Sequence, residues 1–97
     1  MEKIVSEFEV YMATYGRNYS AWYAGIATEP RERLFGDHGV RERGDAWKYV
    51  DCGTDGSART LEQYFLGRGC KGGPGGGDRQ TRHFYVYLVG PHTSENN

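Results

Sequence analysis

Branched aliphatic side chains are scarce: isoleucine, leucine and valine together supply 12 of the 97 residues. Such a shortage excludes a conventional aliphatic core, and with a high net charge it would point to disorder. The net charge is only -1, however, and 14% of residues are aromatic. The core must therefore be rings packed against small residues. Long apolar runs are also missing. None approaches the roughly 18 residues of a membrane-spanning helix, and Met1-Glu2-Lys3 does not open a secretory signal. The expectation is a cytoplasmic, intracellular protein with no membrane partner. Cysteine is limited to Cys52 and Cys70, whose spacing fits no metal-binding pattern, so both are expected as reduced thiols. Repeats are absent. The length leaves no room for two cores, a dinucleotide-binding pair or an eightfold barrel. Near-neutrality argues against a strongly basic nucleic-acid binder, although Arg68, Lys71, Arg79 and Arg82 face only Asp78 within their stretch.

What is present organises into a short series of elements. Phe8-Glu9-Val10-Tyr11-Met12-Ala13 alternates with period two and reads as a strand. Ala21 to Ala27 reads as a second, with Gly16-Arg17-Asn18 as the turn between them. In that hairpin Tyr11 lies opposite Tyr23 on a face otherwise lined by alanine and glycine. Phe8, Val10, Met12, Trp22 and Ile26 form the core face. Pro30 suits the first position of a helix running to about Asp37, stopped near Gly39. Trp47 to Val50 reads as a strand. Ser57 caps a helix over Ala58 to Leu66. His83 to Val89 is the strongest strand signal, and Pro91 onward reads as a frayed tail. The sum is an α/β (α+β) domain over residues 1–90, a small central antiparallel sheet of three to four strands flanked by helices, with a flexible tail over 91–97.

Residues 67–77 hold seven glycines and Pro74. Gly67-Arg68-Gly69-Cys70-Lys71-Gly72 has phosphate-loop spacing, but it follows a helix instead of opening one after a strand. A flexible connection or flap fits that context better. Glu62 is more informative. At about 100° per residue it falls inside the apolar arc of Ala58, Leu61, Phe65 and Leu66, where a carboxylate needs a cation, hydrogen bonds or a metal. His38 falls between Leu34 and Phe35 on the buried side of the preceding helix, a position that suits a packed histidine as well as a functional one.

The series Tyr11, Tyr23-Ala24-Gly25, Arg33 and Leu61-Glu62 resembles the GIY-YIG nuclease family over roughly residues 8–78. Glu9-Val10-Tyr11 looks like the first motif and Tyr23-Ala24-Gly25 the second, with Pro30 and Arg33 at the usual offsets after Gly25. Glu9 stands where the first motif has glycine and Ala24 where the second has isoleucine. His38 is one residue further from Arg33 than the family's histidine, and Asp78 is the nearest candidate for the asparagine after the glutamate helix. The resemblance implies metal-dependent hydrolysis of phosphodiester bonds in nucleic acid, DNA ahead of RNA. It implies catalytic roles for Tyr11, Tyr23, Arg33, His38 and Glu62. Glu62 would hold Mg²⁺ or Mn²⁺, a hard cation suited to one carboxylate plus waters and phosphate oxygens. Arg31, Arg68, Lys71, Arg79 and Arg82 would be further phosphate contacts. A standalone domain of this type leaves specificity to a homodimer or a separate partner. The rival expectations are a catalytically inactive nucleic-acid-binding module on the same fold, and a protein-interaction domain using the aromatic final strand as an edge.

Overall fold

The computed structural model describes residues 1–16, 18–73 and 79–95. Arg17, at the expected turn, and Asp78, the expected asparagine equivalent, lie outside the described residues. The N-terminal segment is not a strand. It is helix α1, Glu2–Ala13. The six-residue alternation was a fragment of a longer pattern. Ile4, Val5, Phe8, Tyr11 and Met12 recur at helical spacing, and all five pack into one cluster. Val10, expected in the core, is exposed. The hairpin and its facing tyrosines therefore do not exist.

The sheet has three antiparallel strands: β1 (Trp22–Ala27), β2 (Trp47–Asp51) and β3 (His83–Leu88), in the spatial order β1-β3-β2. The last strand in the sequence is thus the central one, which removes the reading of it as a free edge. Its composition explains the position. Phe84, Val86 and Leu88 cover one face and Tyr85 and Tyr87 the other, so the strand is greasy on both sides. The outer edge of β1 is closed by the start of the glycine-rich segment. The Lys71 N–H donates to the Trp22 carbonyl at 2.8 Å, and the Ala24 N–H donates to the Lys71 carbonyl at 2.9 Å. Residues 70–72 are pinned to the sheet, contrary to the expected loose connection, while 74–77 lie outside the described residues.

Two layers cover the sheet. On one face, α1 and helix α2 (Asp55–Gly67) bury Phe8, Trp22, Phe65 and Phe84. Phe65 and Phe84 stack at 5.3 Å and Phe8 tilts against Phe84 at 5.0 Å, which is how rings replace missing aliphatics. On the other face, Leu34 and Val40 cover Tyr23, Tyr85 and Tyr87. α2 begins three residues earlier than expected because Thr54, not Ser57, is its cap: the Thr54 hydroxyl accepts from the Ser57 N–H at 3.1 Å. Thr54→Ala is expected to cost about 1 kcal/mol in chemical denaturation. No helix among the described residues is long and apolar enough to cross a membrane. Both cysteines are free thiols.

Candidate functional site

Tyr23, Gly25 and Ala27 of β1 face the same side as Tyr87, Tyr85 and His83 of β3, because Tyr23 pairs with Tyr87 and Gly25 with Tyr85. Three phenol rings therefore lie side by side. Tyr23 stacks on Tyr87 at 5.1 Å and on Tyr85 at 6.3 Å, with interplanar angles of 18° and 17°. Gly25 leaves the space that the Tyr85 hydroxyl fills: a β-carbon there would lie 2.6 Å from that oxygen. Sequence reasoning missed Tyr85 and Tyr87 and put Tyr11 in their place. The signal was present, since the alternation of the final strand puts both tyrosines on one face. Tyr11 instead lies with the other layer, its ring near Trp22 at 6.0 Å and its hydroxyl accepting from the Trp47 N–H at 2.9 Å. Burial, with Tyr15 beside it, raises its pKa to about 12.

His38 reaches this cluster through a local departure from α-helical winding. Residues Glu32–Asp37 form a π-helical turn, and the His38 N–H donates to the Arg33 carbonyl five residues back at 2.8 Å. The wider turn absorbs the one extra residue between Arg33 and His38. Asp37 pairs with the Arg33 side chain at 3.3 Å, while the His38 ring packs 4.7 Å from Tyr23 and 4.9 Å from Tyr87. Gly39 then turns the chain with φ +70, leaving only 3.1 Å between its missing β-carbon and the His92 carbonyl.

The tautomer of His38 follows from its partners. Nδ1 lies 2.7 Å from the Ser94 carbonyl, which can only accept, so Nδ1 carries the proton. Nε2, 2.7 Å from the Tyr85 hydroxyl, is then the acceptor of the phenol proton when the ring is neutral. Burial lowers the His38 pKa and so favours the neutral ring, with the Arg33 charge adding to that and the Ser94 bond, Asp37 and Glu95 opposing it. The same network corrects the expected frayed tail. The Ser94 N–H donates to the His38 carbonyl at 2.7 Å, the Tyr87 hydroxyl donates to the Ser94 carbonyl at 3.2 Å, and His92 is bound to Asp45. Asn96 and Asn97 lie outside the described residues.

This geometry has a pH consequence. A base whose folded-state pKa is lowered is protonated first in the unfolded chain, so its stabilisation is complete above about pH 6.5 and is lost as pH falls toward the lowered value. Urea unfolding on the two sides of that value is expected to show weaker folding on the acid side. The difference should shrink in His38→Gln.

Arg33 and Glu62 complete the cluster unequally. The Arg33 side chain is 32% exposed, lines an open cavity of about 270 Å³ with Thr28, Glu29 and Asp37, and its charge acts to lower the Tyr85 pKa against the larger raising effects of burial and Tyr23. Glu62 is 3% exposed on the α2 face that packs against the other side of the sheet. Its charge still reaches Tyr85 and raises that phenol's pKa, the smaller companion of the dominant effect of burial and of Tyr23. Burial raises the Glu62 pKa, partly countered by Arg59. Tyr23, Arg33 and His38 thus converge with Tyr85 and Tyr87, Glu62 stands within electrostatic range of Tyr85, and Tyr11 is elsewhere.

Among the described residues no three carboxylate, histidine or cysteine groups come together to hold a metal. Glu62, the carboxylate the resemblance assigns to a cation, is 3% exposed and does not line the cavity at Arg33; a divalent ion held by it would need water and substrate oxygens to complete its shell. Arg31, Arg79 and Arg82 line one groove together, whereas Arg68 sits at the end of α2 over the Tyr64 ring and Lys71 borders β1. No family model, curated protein or solved structure matches this chain.

Proposed function

We propose that this protein is a metal-dependent endonuclease of GIY-YIG type in which the C-terminal strand, in place of an N-terminal one, carries the tyrosines beside Tyr23. The observation that carries the reading is the Tyr85–His38 contact on the sheet face that Arg33 borders, with the Glu62 charge reaching Tyr85 from the α2 side. A phenol that donates to a neutral imidazole can accept a proton from water as it passes its own to Nε2, so the pair can act as a relay base without a free phenolate. Tyr85 thereby takes the role first expected of Tyr11, and the π-helical turn brings His38 to it despite the extra residue after Arg33. Arg33 exchanges its exposed Asp37 pair for a non-bridging phosphate oxygen, where its charge acts as the phosphorus takes on the attacking oxygen. Glu62 would hold the divalent cation, which supplies stabilisation of the leaving oxygen when bound. Tyr23 and Tyr87 fix the stack that aims Tyr85.

One observation favours a second reading. Tyr85, Tyr87 and His38 are at most 1% exposed, as suits an inner polar network beneath a surface that binds nucleic acid without cutting it. A single assay separates the two. Supercoiled plasmid, single-stranded DNA and structured RNA are incubated with the protein in Mg²⁺ or Mn²⁺. The nuclease reading expects cleavage that Arg33→Ala abolishes. Cleavage that persists unchanged in Arg33→Ala and Glu62→Ala, or none in any metal with salt-sensitive binding retained, overturns it.

A further inference from the structure

The cavity in front of Arg33 does not end there. Thr28 and Glu29 line both it and a larger groove of about 570 Å³ that runs beside β2. Arg31, Arg79, Arg82, His83 and Tyr49 line that groove. Its cations are not all engaged alike. Arg31 pairs with Glu42 and Arg82 with Asp51, both pairs on the solvent-exposed surface, and Arg79 has no ion pair among the described residues. Exposed pairs of this kind contribute little and exchange readily for a phosphate.

The second observation is aromatic: Tyr49 and His83 line the groove, and Trp47 and Phe35 adjoin it through ring contacts. Tyr49 stacks on Trp47 at 5.9 Å with an interplanar angle of 14°, and both are partly exposed on a strand at the sheet's edge. The row continues on both sides. Phe35 meets Trp47 edge-on at 4.9 Å, and His83 meets Tyr49 edge-on at 6.3 Å. The Arg31 guanidinium lies 5.0 Å from the Phe35 ring and 6.0 Å from the Trp47 ring. A row of rings beside arginines offers stacking to bases and charge to the phosphates between them. A duplex keeps its base faces stacked on each other and cannot use such a row, whereas an unpaired strand can.

We infer that the groove beside β2 is a track for a single-stranded polynucleotide, bases on Tyr49 and Trp47 and phosphates on Arg31, Arg79 and Arg82, leading into the cavity at Arg33. The inference rests on the nuclease reading for what lies at the end of the track, but its test does not need cleavage. In chelator, the intact protein is titrated into fluorescently labelled oligo(dT), oligo(rU) and a duplex of equal length, followed by anisotropy. Trp47 emission reports the contact directly, because the other tryptophan, Trp22, is fully buried. The expected result is that at least one of the two single strands binds more tightly than the duplex and quenches Trp47. Tyr49→Ala should weaken it about fivefold or more, with Tyr49→Phe retaining it. Arg79→Ala should lower the salt dependence by about one phosphate contact. Duplex binding at least as tight as that of both single strands, no binding of any of them, or single-strand binding unmoved in Tyr49→Ala overturns the track. Single-strand binding without cleavage in any divalent metal leaves the track standing and overturns the nuclease reading. Cleavage with Tyr49→Ala unaffected does the reverse.

Discussion

Gly25→Ala is expected to be among the most damaging single substitutions in this chain. The added methyl would lie 2.6 Å from the Tyr85 hydroxyl oxygen and 2.7 Å from its ring carbon. Neither side can yield cheaply. Gly25 is buried in the middle of β1 and paired with Tyr85 itself. The Tyr85 ring is 1% exposed, held by His38 at its hydroxyl and flanked by Tyr23. Overpacking of this kind costs about 1–3 kcal/mol in a closed core, or it pushes the larger side chain aside. Urea unfolding would register the first outcome. The second would break the Tyr85–His38 bond, freeing Nε2, and would appear as a His38 ring that titrates nearer its ordinary value in NMR. A variant with wild-type stability and an unmoved His38 titration contradicts the close packing of Gly25 on Tyr85. The double variant Gly25→Ala/Tyr85→Phe is the control, since removing the hydroxyl removes the closest contact and should recover part of the loss.

Glu62→Gln should move stability and activity in opposite directions. Burial raises the Glu62 pKa, so the ionised group opposes folding at neutral pH. The sign follows from linkage: with a raised folded-state value the carboxyl contributes its stability below about pH 4.5, its ordinary value, and that contribution is lost as pH rises through the folded-state value. The amide carries no charge to bury, so the variant should melt at a higher temperature than the wild type at neutral pH. The gap should close in acid. Cleavage should fall at least about a hundredfold, because the carboxylate is the group expected to hold the cation. Divalent cation should raise the melting temperature of the wild type and leave that of Glu62→Gln unmoved. If melting temperature and cleavage both fall, Glu62 is a structural ion-pair partner and its placement on an apolar helix face has no catalytic meaning.

Regularities within single elements were readable from the residues. Pro30 began a helical segment, His38 fell on the buried side of that segment, and the arc of α2 placed Glu62 inside. The strands over Trp22–Ala27, Trp47–Asp51 and His83–Leu88 were all legible, because each carries rings or β-branched residues between turn-forming stretches. The segment Phe8 to Ala13 was not. Six residues satisfy period two and period 3.6 almost equally, and only the run back to Ile4 decides between them.

By itself, then, the sequence determined the α+β class, the buried carboxylate on α2, and the face of β1 that carries Tyr23 and Gly25. Which strand stands beside Tyr23 was decided by the tertiary structure alone. Pairing joins residues 22–27 to residues 83–88, across more than half of the chain, and no local pattern encodes so distant a partner. The π-helical turn was likewise invisible: one extra residue before His38 looks like a misplaced histidine until the winding that absorbs it is known. The tail was settled the same way, since Ser94 is an ordinary polar residue until its carbonyl meets the one ring nitrogen that must donate. The scarcity of aliphatics set at the outset what the core could be made of. Only the three-dimensional pairing determined which rings would pack and which hydroxyls would meet.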